Sequence, residues 1–244
     1  MTESPGLDAA SATSLGEPVP NWTPRHRPHR TVMEGRFARL EPFEPERHAR
    51  GLYERFTQDE GGRIWTFLGY GPFDSYEGYE AWASVFCVGD DPMFHTILDA
   101  RTGAPLGVAS YLRIDPANGV IEVGHLCYSP SLQRTPAATE AMYLMARRAF
   151  DELGYRRYEW KCNALNATSR RAAERLGFTF EGIFRQHMVV KGHNRDTAWY
   201  AMLDREWPVH KAAFEAWLDP ANFDAEGRQR AKLEALRGSS GSSP

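Results

Sequence analysis

Apolar residues recur with two different spacings along the chain, and these spacings predict strands and helices. Alternating apolar and polar positions predict a strand, whereas apolar residues three and four positions apart predict a helix. The predicted strands cover residues 37–42, 94–99, 106–114, 120–128, 157–162, 178–184 and 197–203. The predicted helices cover residues 45–58, 76–88, 136–154, 167–176, 209–218 and 225–236. This order mixes antiparallel hairpins with one βαβ crossover, so we expect an α/β layered sheet with helices on both faces.

The composition of the two ends differs from that of the centre and predicts tails around one globular domain. Residues 1–20 are rich in Ser, Pro, Gly and Ala without any period, which is typical of disorder, and residues 21–30 are expected to drape over the domain. We therefore predict four parts. They are an N-terminal arm at 1–30, a domain at 31–207, a C-terminal helical extension at 208–237 and a flexible tail at 238–244.

Charge and cysteine content narrow the functional classes. The net charge of −3 provides no field that would attract nucleic acid or an anionic membrane, so neither is expected as a partner. The N-terminus lacks a basic segment followed by an apolar run, and no stretch approaches the roughly 20 apolar residues that span a bilayer. Cys87, Cys127 and Cys162 are scattered among apolar residues, which favours buried free thiols in a cytoplasmic protein over a disulfide or a catalytic thiol.

A turn between strand 120–128 and the following helix is the strongest candidate for a binding site. Free backbone N–H groups at the start of a helix form a natural phosphate site. Thr135 is a suitable N-cap, and Pro136 suits the first helical position because its missing N–H costs nothing there.

Four motifs occur in order around this turn, namely Glu122-Val-Gly-His, Gln133 to Ala141, Asn166-Ala-Thr-Ser and Leu176 to Gly182. Together they resemble the GCN5-related N-acetyltransferase (GNAT) superfamily, in the branch of the ribosomal-protein alanine acetyltransferases, over residues 36–207. The resemblance implies a mixed, mostly antiparallel twisted sheet with a βαβ crossover that binds the cofactor. It also implies transfer of an acetyl group from acetyl-CoA to a primary amine, by direct attack in a ternary complex and without a metal.

The resemblance also implies a set of cofactor-binding residues. In the family pattern Gln/Arg-x-x-Gly-x-Gly/Ala, Gln133 and Ala138 fit, but Pro136 replaces the first glycine, which removes one N–H and forbids a positive φ. Asn166 matches an asparagine that contacts the pantetheine arm, although it could equally cap the helix that follows. The implied contacts are Leu126, Tyr128, Gln133, Arg134, Thr135, Ala137, Ala138, Thr139, Asn166, Ser169 and Arg171.

Three residues are candidates for catalysis. The amine must lose a proton before attack, and Glu122 is our first candidate base because a carboxylate on an apolar strand can have a raised pKa. His125 is the rival base. Strand alternation predicts Glu122, Gly124 and Leu126 on one face, and Val123, His125 and Cys127 on the other.

The candidate acid for the leaving thiolate is Ser169, because Ala173 stands where many family members have a tyrosine. Two structural alternatives stay open, in which Glu122 is a salt-bridged strand residue and Ser169 satisfies the first helical turn. His125 and Cys127 could also bind a metal, but no further ligands follow at suitable spacing, so no metal is expected.

The resemblance implies an acceptor groove formed by the aromatic segment 63–73 and the last hairpin at 184–196. Trp65, Phe67 and Tyr70 are its expected lining. These side chains could instead cover a core. Asp196, within the last hairpin turn predicted at 191–196, or Glu181 could attract an ammonium group. A small-molecule or peptide amine is the expected partner, and the C-terminal helices could form a homodimer surface.

Two other functions are consistent with parts of the sequence. Residues 169–179 resemble the first helix and turn of a helix-turn-helix DNA reader, but an apolar, strand-like segment with Gly182 follows instead of a recognition helix. The departures at Pro136 and Ala173 also allow an acyl-CoA-binding sensor that has the same fold but does not catalyse transfer.

Overall fold

A computed structural model describes residues 16–239 of the chain. The strands are β1 (Met33–Glu34), β2 (Ala38–Pro42), β3 (Met93–Asp99), β4 (Pro105–Asp115), β5 (Val120–Tyr128), β6 (Arg157–Asn163), β7 (Thr179–Val190) and β8 (His193–Leu203). The helices are α1 (Pro45–Phe56), α2 (Tyr76–Phe86), α3 (Pro136–Arg147), α4 (Ala167–Leu176), α5 (Trp207–Leu218) and α6 (Leu233–Ser239). Short 3₁₀ turns lie at Arg63–Trp65 and Pro220–Asn222, and a π-helical segment, Arg148–Glu152, continues α3.

All eight strands form one open sheet in the order β1-β2-β3-β4-β5-β6-β8-β7. Every neighbouring pair is antiparallel except β5 and β6, which α3 connects as a parallel βαβ unit. The predicted fold class is therefore confirmed. The parallel pairing extends only from Val120 to Val123 on β5, after which the two strands have no further partners on each other.

Two hydrophobic cores lie on the two faces of the sheet. The larger packs α3, α4 and α5 against the sheet around residues such as Ile121, Met145 and Phe214. The smaller packs α1 and α2 against the other face around Leu52 and Phe94. Burial of each large apolar side chain stabilises the fold by about 1.5–3 kcal/mol, so both helical layers hold the strands in place around the β5–β6 divergence.

A buried carboxylate in α3 fixes the first hairpin. Glu140 accepts hydrogen bonds from the backbone N–H groups of Arg36, Phe37 and Ala38 at 2.9, 2.5 and 2.7 Å. Any side chain at position 35 would clash with this carboxylate, because a Cβ added to Gly35 would lie only 2.5 Å from it. The connection between β1 and β2 is thereby held against α3, the helix that begins at the turn predicted to bind phosphate.

Two predicted elements are wrong near the C-terminus. The last hairpin turns at Lys191-Gly192, where both residues have positive φ, so residues 193–196 belong to β8 and not to the turn. The helix predicted at 225–236 begins only at Leu233. Residues 223–229 form a loop instead, because the Asp224 carboxylate accepts from the N–H groups of Glu226 and Arg228 and Gly227 has φ +75°.

The predicted terminal segments are only partly described. Residues 1–15 and 240–244, which include most of the predicted disorder, lie outside the described residues. Within the arm, Trp22 donates to the carbonyl of Ala117 at 2.8 Å and Arg27 pairs with Asp91 at 3.1 Å. In the part of the chain from 16 to 239, no helix is long and apolar enough to cross a membrane.

Candidate active site

A cleft of about 1590 Å³ opens where β5 and β6 diverge. One half lies under the turn 133–139 and α4, on the side of the larger core, and we call it the cofactor half. The other half lies against segment 63–70, α2 and the ends of β7 and β8, and we call it the acceptor half. Because the strands are unpaired beyond Val123, the two halves join through the sheet.

The turn in the cofactor half is held by Thr135. Its hydroxyl donates to the Leu132 carbonyl at 2.7 Å and accepts from the Ala138 N–H at 3.2 Å, as expected of an N-cap. Its own N–H donates to Leu132 as well, so the N–H groups of Thr135 and Ala138 are both used within the turn. The N–H of Thr139, four residues after the N-cap, belongs to the hydrogen bonding of α3. In the described chain, the N–H groups of Arg134 and Ala137 have no partner and remain available for a ligand.

Backbone conformation compensates for Pro136. A proline cannot adopt positive φ, and here Arg134, two residues earlier, has φ +63°. Pro136 itself occupies the first turn of α3, where no N–H is required. The turn is therefore a capped helix start with free donors, and the exposed Arg134 adds a cation at its edge.

The start of α4 faces the same half of the cleft. Asn166 caps the helix by accepting from the Ser169 N–H at 3.0 Å, and its amide nitrogen has no partner among the described residues. The Ser169 hydroxyl accepts from the Trp160 indole at 3.0 Å and also interacts with the Cys162 thiol. Both residues line the cleft.

The sequence prediction placed Arg171 at this site, but its side chain is exposed and does not line the cleft. Arg175, one turn further along α4, does line it. Its guanidinium donates to the Thr139 hydroxyl at 3.1 Å and lies over the Trp217 ring at 5.1 Å, with no carboxylate within 4.0 Å in the described chain. Sequence reasoning missed Arg175 because its position depends on the C-terminal extension folding back onto α4.

Glu122 lies at the junction of the two halves. It is only 3% exposed, and its carboxylate pairs with Arg113 at 2.8 Å and with Lys161 at 2.9 Å. Lys161 also contacts Glu159 at 2.6 Å and lies over the Trp199 ring. The geometry thus fits the salt-bridged alternative, while the carboxylate still lines the cleft and its role as a base stays a prediction.

The predicted alternation along β5 is wrong beyond Gly124. The register against β4 shifts by one residue between Gly124 and Cys127, and His125 has φ +50°, which marks a β-bulge. The bulge turns His125 towards Phe94 and the smaller core, whereas Leu126 packs against the larger core. His125 therefore lies on the same face as Glu122, and both side chains line the cleft.

His125 is held in a neutral state. Its Nδ1 lies 3.2 Å from the Tyr70 hydroxyl, and its ring packs against Tyr70, Phe86 and Phe94. Burial, together with the nearby Arg113 and Arg195, lowers the pKa of His125 to about 4. Nδ1 of this neutral imidazole is therefore engaged by Tyr70, and the tautomer sets which of the two groups donates.

The aromatic segment divides between wall and core. Tyr70 and Phe67 line the acceptor half, together with Trp82 and Phe86 of α2. Trp65 does not line it, because its ring is 5% exposed and packs edge-on against Phe56 and Phe73. Trp65 is thus a core residue that supports the pocket wall.

Neither carboxylate suggested as an ammonium site faces the cleft. Asp196 accepts from the Gln186 N–H at 2.7 Å, and Glu181 pairs with Arg157. The three cysteines are buried free thiols, and burial raises the pKa of each. Among residues 16–239, no group of three or more His, Cys, Asp or Glu side chains could hold a metal ion.

Several known proteins are similar to this chain in sequence and in fold. The sequence matches the acetyltransferase (GNAT) domain family over residues 38–179. The structure of a GCN5-related N-acetyltransferase from Brucella melitensis is 48% identical, with a TM-score of 0.88 over 90% of this chain and 100% of that chain. A GNAT-family protein from Chromobacterium violaceum ATCC 12472 is 36% identical, with a TM-score of 0.74 over 84% of this chain and 100% of that one.

Two further proteins with lower coverage or lower sequence identity are also similar to this chain. The curated relative "Putative ribosomal N-acetyltransferase YdaF" of Bacillus subtilis (strain 168) is 30% identical over 109 residues, which cover 45% of this chain and 59% of that protein. The acetyltransferase MccE, whose structure was solved with acetyl-CoA and AMP, is 20% identical and shares the fold with a TM-score of 0.61, over 69% of this chain and 93% of that one.

The open, mostly antiparallel sheet with helices on both faces matches that of these acetyltransferase structures. The chain belongs to the GNAT acetyltransferase family. The family resemblance inferred from the four sequence motifs is thereby confirmed.

Proposed function

We propose that this protein is an acetyl-CoA-dependent N-acetyltransferase that transfers an acetyl group to a primary amine by direct attack in a ternary complex. The observation that carries the proposal is the continuous cleft at the β5–β6 divergence. It links a turn suited to phosphate with a buried carboxylate, a neutral imidazole and an aromatic wall. A donor and an acceptor can therefore meet from opposite faces of the sheet.

The cofactor half supplies the groups that coenzyme A requires. The free N–H groups of Arg134 and Ala137 and the guanidinium groups of Arg134 and Arg175 suit the pyrophosphate and its charge. The free amide nitrogen of Asn166 suits the pantetheine arm. Beyond Val123, the edge of β5 that faces β6 is unpaired, so its N–H groups can polarise a thioester carbonyl.

Deprotonation of the amine is assigned to Glu122. The neutral His125 already shares Nδ1 with Tyr70, whereas the Glu122 carboxylate faces the cleft. Arg113 and Lys161 beside it make the surroundings positive, which disfavours the charged ammonium and favours the attacking neutral amine. Ser169, whose hydroxyl accepts from Trp160 and lines the cleft, is assigned to protonate the departing thiolate.

Amine-dependent release of thiol tests this function. Purified protein is mixed with acetyl-CoA and a panel of amines, thiol is measured, and the acetylated product is identified by mass. The proposal predicts thiol release that requires an amine and matches the product in amount. A non-catalytic acyl-CoA sensor on the same fold predicts tight acetyl-CoA binding with no release for any amine.

A further inference from the structure

The acceptor half of the cleft carries more positive than negative charge. Four cationic side chains line it, namely Arg63, Arg113, Lys161 and Arg195. Among the described residues, two carboxylates, Asp59 and Glu122, line the same half, and Glu159 pairs with Lys161 at 2.6 Å. Since His125 is neutral, the surplus is one positive charge in a pocket that receives an amine, which is itself a cation in solution.

The two carboxylates are already occupied. Asp59 accepts from the Ile64 N–H at 2.8 Å and pairs with Arg63 at 3.3 Å. Glu122 is shared by Arg113 and Lys161. Neither carboxylate therefore offsets the remaining cation.

That cation is Arg195, on β8. Its one hydrogen bond among the described residues joins Nε to the Thr197 hydroxyl at 3.2 Å, and no carboxylate lies within 4.0 Å. The terminal nitrogens remain available where the half-buried side chain lines the cleft. A partly buried guanidinium without an anion is unfavourable unless a ligand supplies one.

The backbone conformation of Arg113 directs its side chain into the acceptor half of the cleft. It has φ +46°, at a point where the register between β4 and β5 shifts by one residue. Asp91 holds this bulge by accepting from the N–H groups of Arg113 and Ile114 at 2.8 and 3.0 Å. Plain alternation would direct Arg113 to the opposite face, so the bulge is what pairs it with Glu122 inside the cleft.

We propose that the acceptor amine carries an anionic group, a carboxylate or a phosphate, which Arg195 binds with help from Arg113. This inference rests on the proposed acetyl transfer. Guanidinium groups bind both anions with paired hydrogen bonds. Amino acids, phosphorylated amines and peptides with an acidic residue beside the N-terminus have this chemistry, whereas polyamines lack it.

Matched pairs of acceptors test the inference. Each pair differs in one anionic group: ethanolamine phosphate and ethanolamine, β-alanine and 3-amino-1-propanol, and a tripeptide amide with glutamate or glutamine at its second position. For at least one pair, we expect kcat/KM to be at least about tenfold higher for the anionic member. Comparison of the three pairs then shows whether the preferred anion is a phosphate, a free carboxylate or the carboxylate of a peptide side chain.

Arg195→Gln tests the residue. The ratio of kcat/KM within the preferred pair should fall to within about threefold of unity, mainly through a higher KM for the anionic member. Arg101→Gln, which changes an exposed arginine in a distant turn, should keep the wild-type ratio. A preference that survives Arg195→Gln would overturn the assignment to Arg195.

A binding measurement separates failure of this inference from failure of the proposed function. The affinity of each pair is measured by calorimetry for the protein saturated with coenzyme A, where no transfer occurs. Equal affinity within all three pairs overturns the inference, whether or not the enzyme turns over. Selective binding of an anionic member without thiol release from acetyl-CoA supports the inference and contradicts the proposed acetyl transfer.

Discussion

The two halves of the cleft are built in different ways. The cofactor half comes mainly from two continuous segments, residues 133–139 and 166–176, whose shapes follow from helix capping. The acceptor half comes from segment 59–70, α2 and strands β4 to β8, and β-bulges direct its two most informative residues, Arg113 and His125. Local rules thus define the half that binds a common donor, whereas long-range packing defines the half that selects the acceptor.

The largest expected effect concerns the junction between the halves. Glu122→Gln should lower kcat by at least about 100-fold, because the base is lost, and should leave the Kd for acetyl-CoA unchanged. Steady-state kinetics and calorimetry measure the two quantities. Glu181→Gln, which removes a carboxylate outside the cleft, is the control, and unfolding curves check that both variants are folded. Wild-type turnover in Glu122→Gln would exclude Glu122 as the base.

The acceptor half should also make folding sensitive to acid. Burial lowers the pKa of His125 from 6.5 to about 4, so below pH 6.5 the imidazole binds a proton in the unfolded chain but not in the folded protein. The free energy of unfolding should therefore fall as the pH decreases from 6.5 to 4, by about 1.4 kcal/mol per pH unit from this group. Burial has the same effect on His95, whose pKa is lowered to about 3.

Denaturant curves between pH 7 and pH 4 measure this dependence. In His125→Gln, one proton fewer is taken up on unfolding. The free energy of unfolding should therefore depend less steeply on pH, by about 1.4 kcal/mol per pH unit. The same substitution at the exposed His193 should leave the slope as in the wild type. An unchanged slope in His125→Gln would contradict the neutral, buried imidazole.

In the cofactor half, Arg175 of α4, over which Trp217 of the C-terminal extension packs, should contribute to donor binding. Arg175→Gln should weaken acetyl-CoA binding by about tenfold, because a charge-assisted contact to phosphate is lost. Arg171→Gln, one turn away on the exposed side of α4, should bind as the wild type does. Calorimetry on both variants separates the arginine that lines the cleft from the one that the sequence favoured.

The smallest effect is expected at the cap of α3. Thr135→Ala removes the hydroxyl that joins Leu132 and Ala138, and should cost about 1 kcal/mol of stability. Thr135→Ser keeps the hydroxyl and should therefore retain most of the stability that is lost in Thr135→Ala. Equal unfolding free energies in the wild type and Thr135→Ala would argue that the turn is held by other contacts.

The same contrast explains how much could be predicted from sequence. Periodicity and capping residues gave the bounds of β5 and α4 and the start of α3, because these signals lie within the elements themselves. Alternation failed at His125, since one extra residue in a strand exchanges its faces and no local signal marks it. Arg175 was missed because Trp217, which orients it, is distant in the sequence.

Direct attack in a ternary complex is the central claim, and mass spectrometry of the protein after incubation with acetyl-CoA alone tests it most directly. Cys162 and Ser169 both line the cleft, but burial raises the pKa of the Cys162 thiol and so keeps it a poor nucleophile. We predict that the protein mass stays unchanged until an amine is added and that only the amine then becomes acetylated. An acetylated Cys162 or Ser169 that forms without amine, and is then discharged by amine, would contradict the claim.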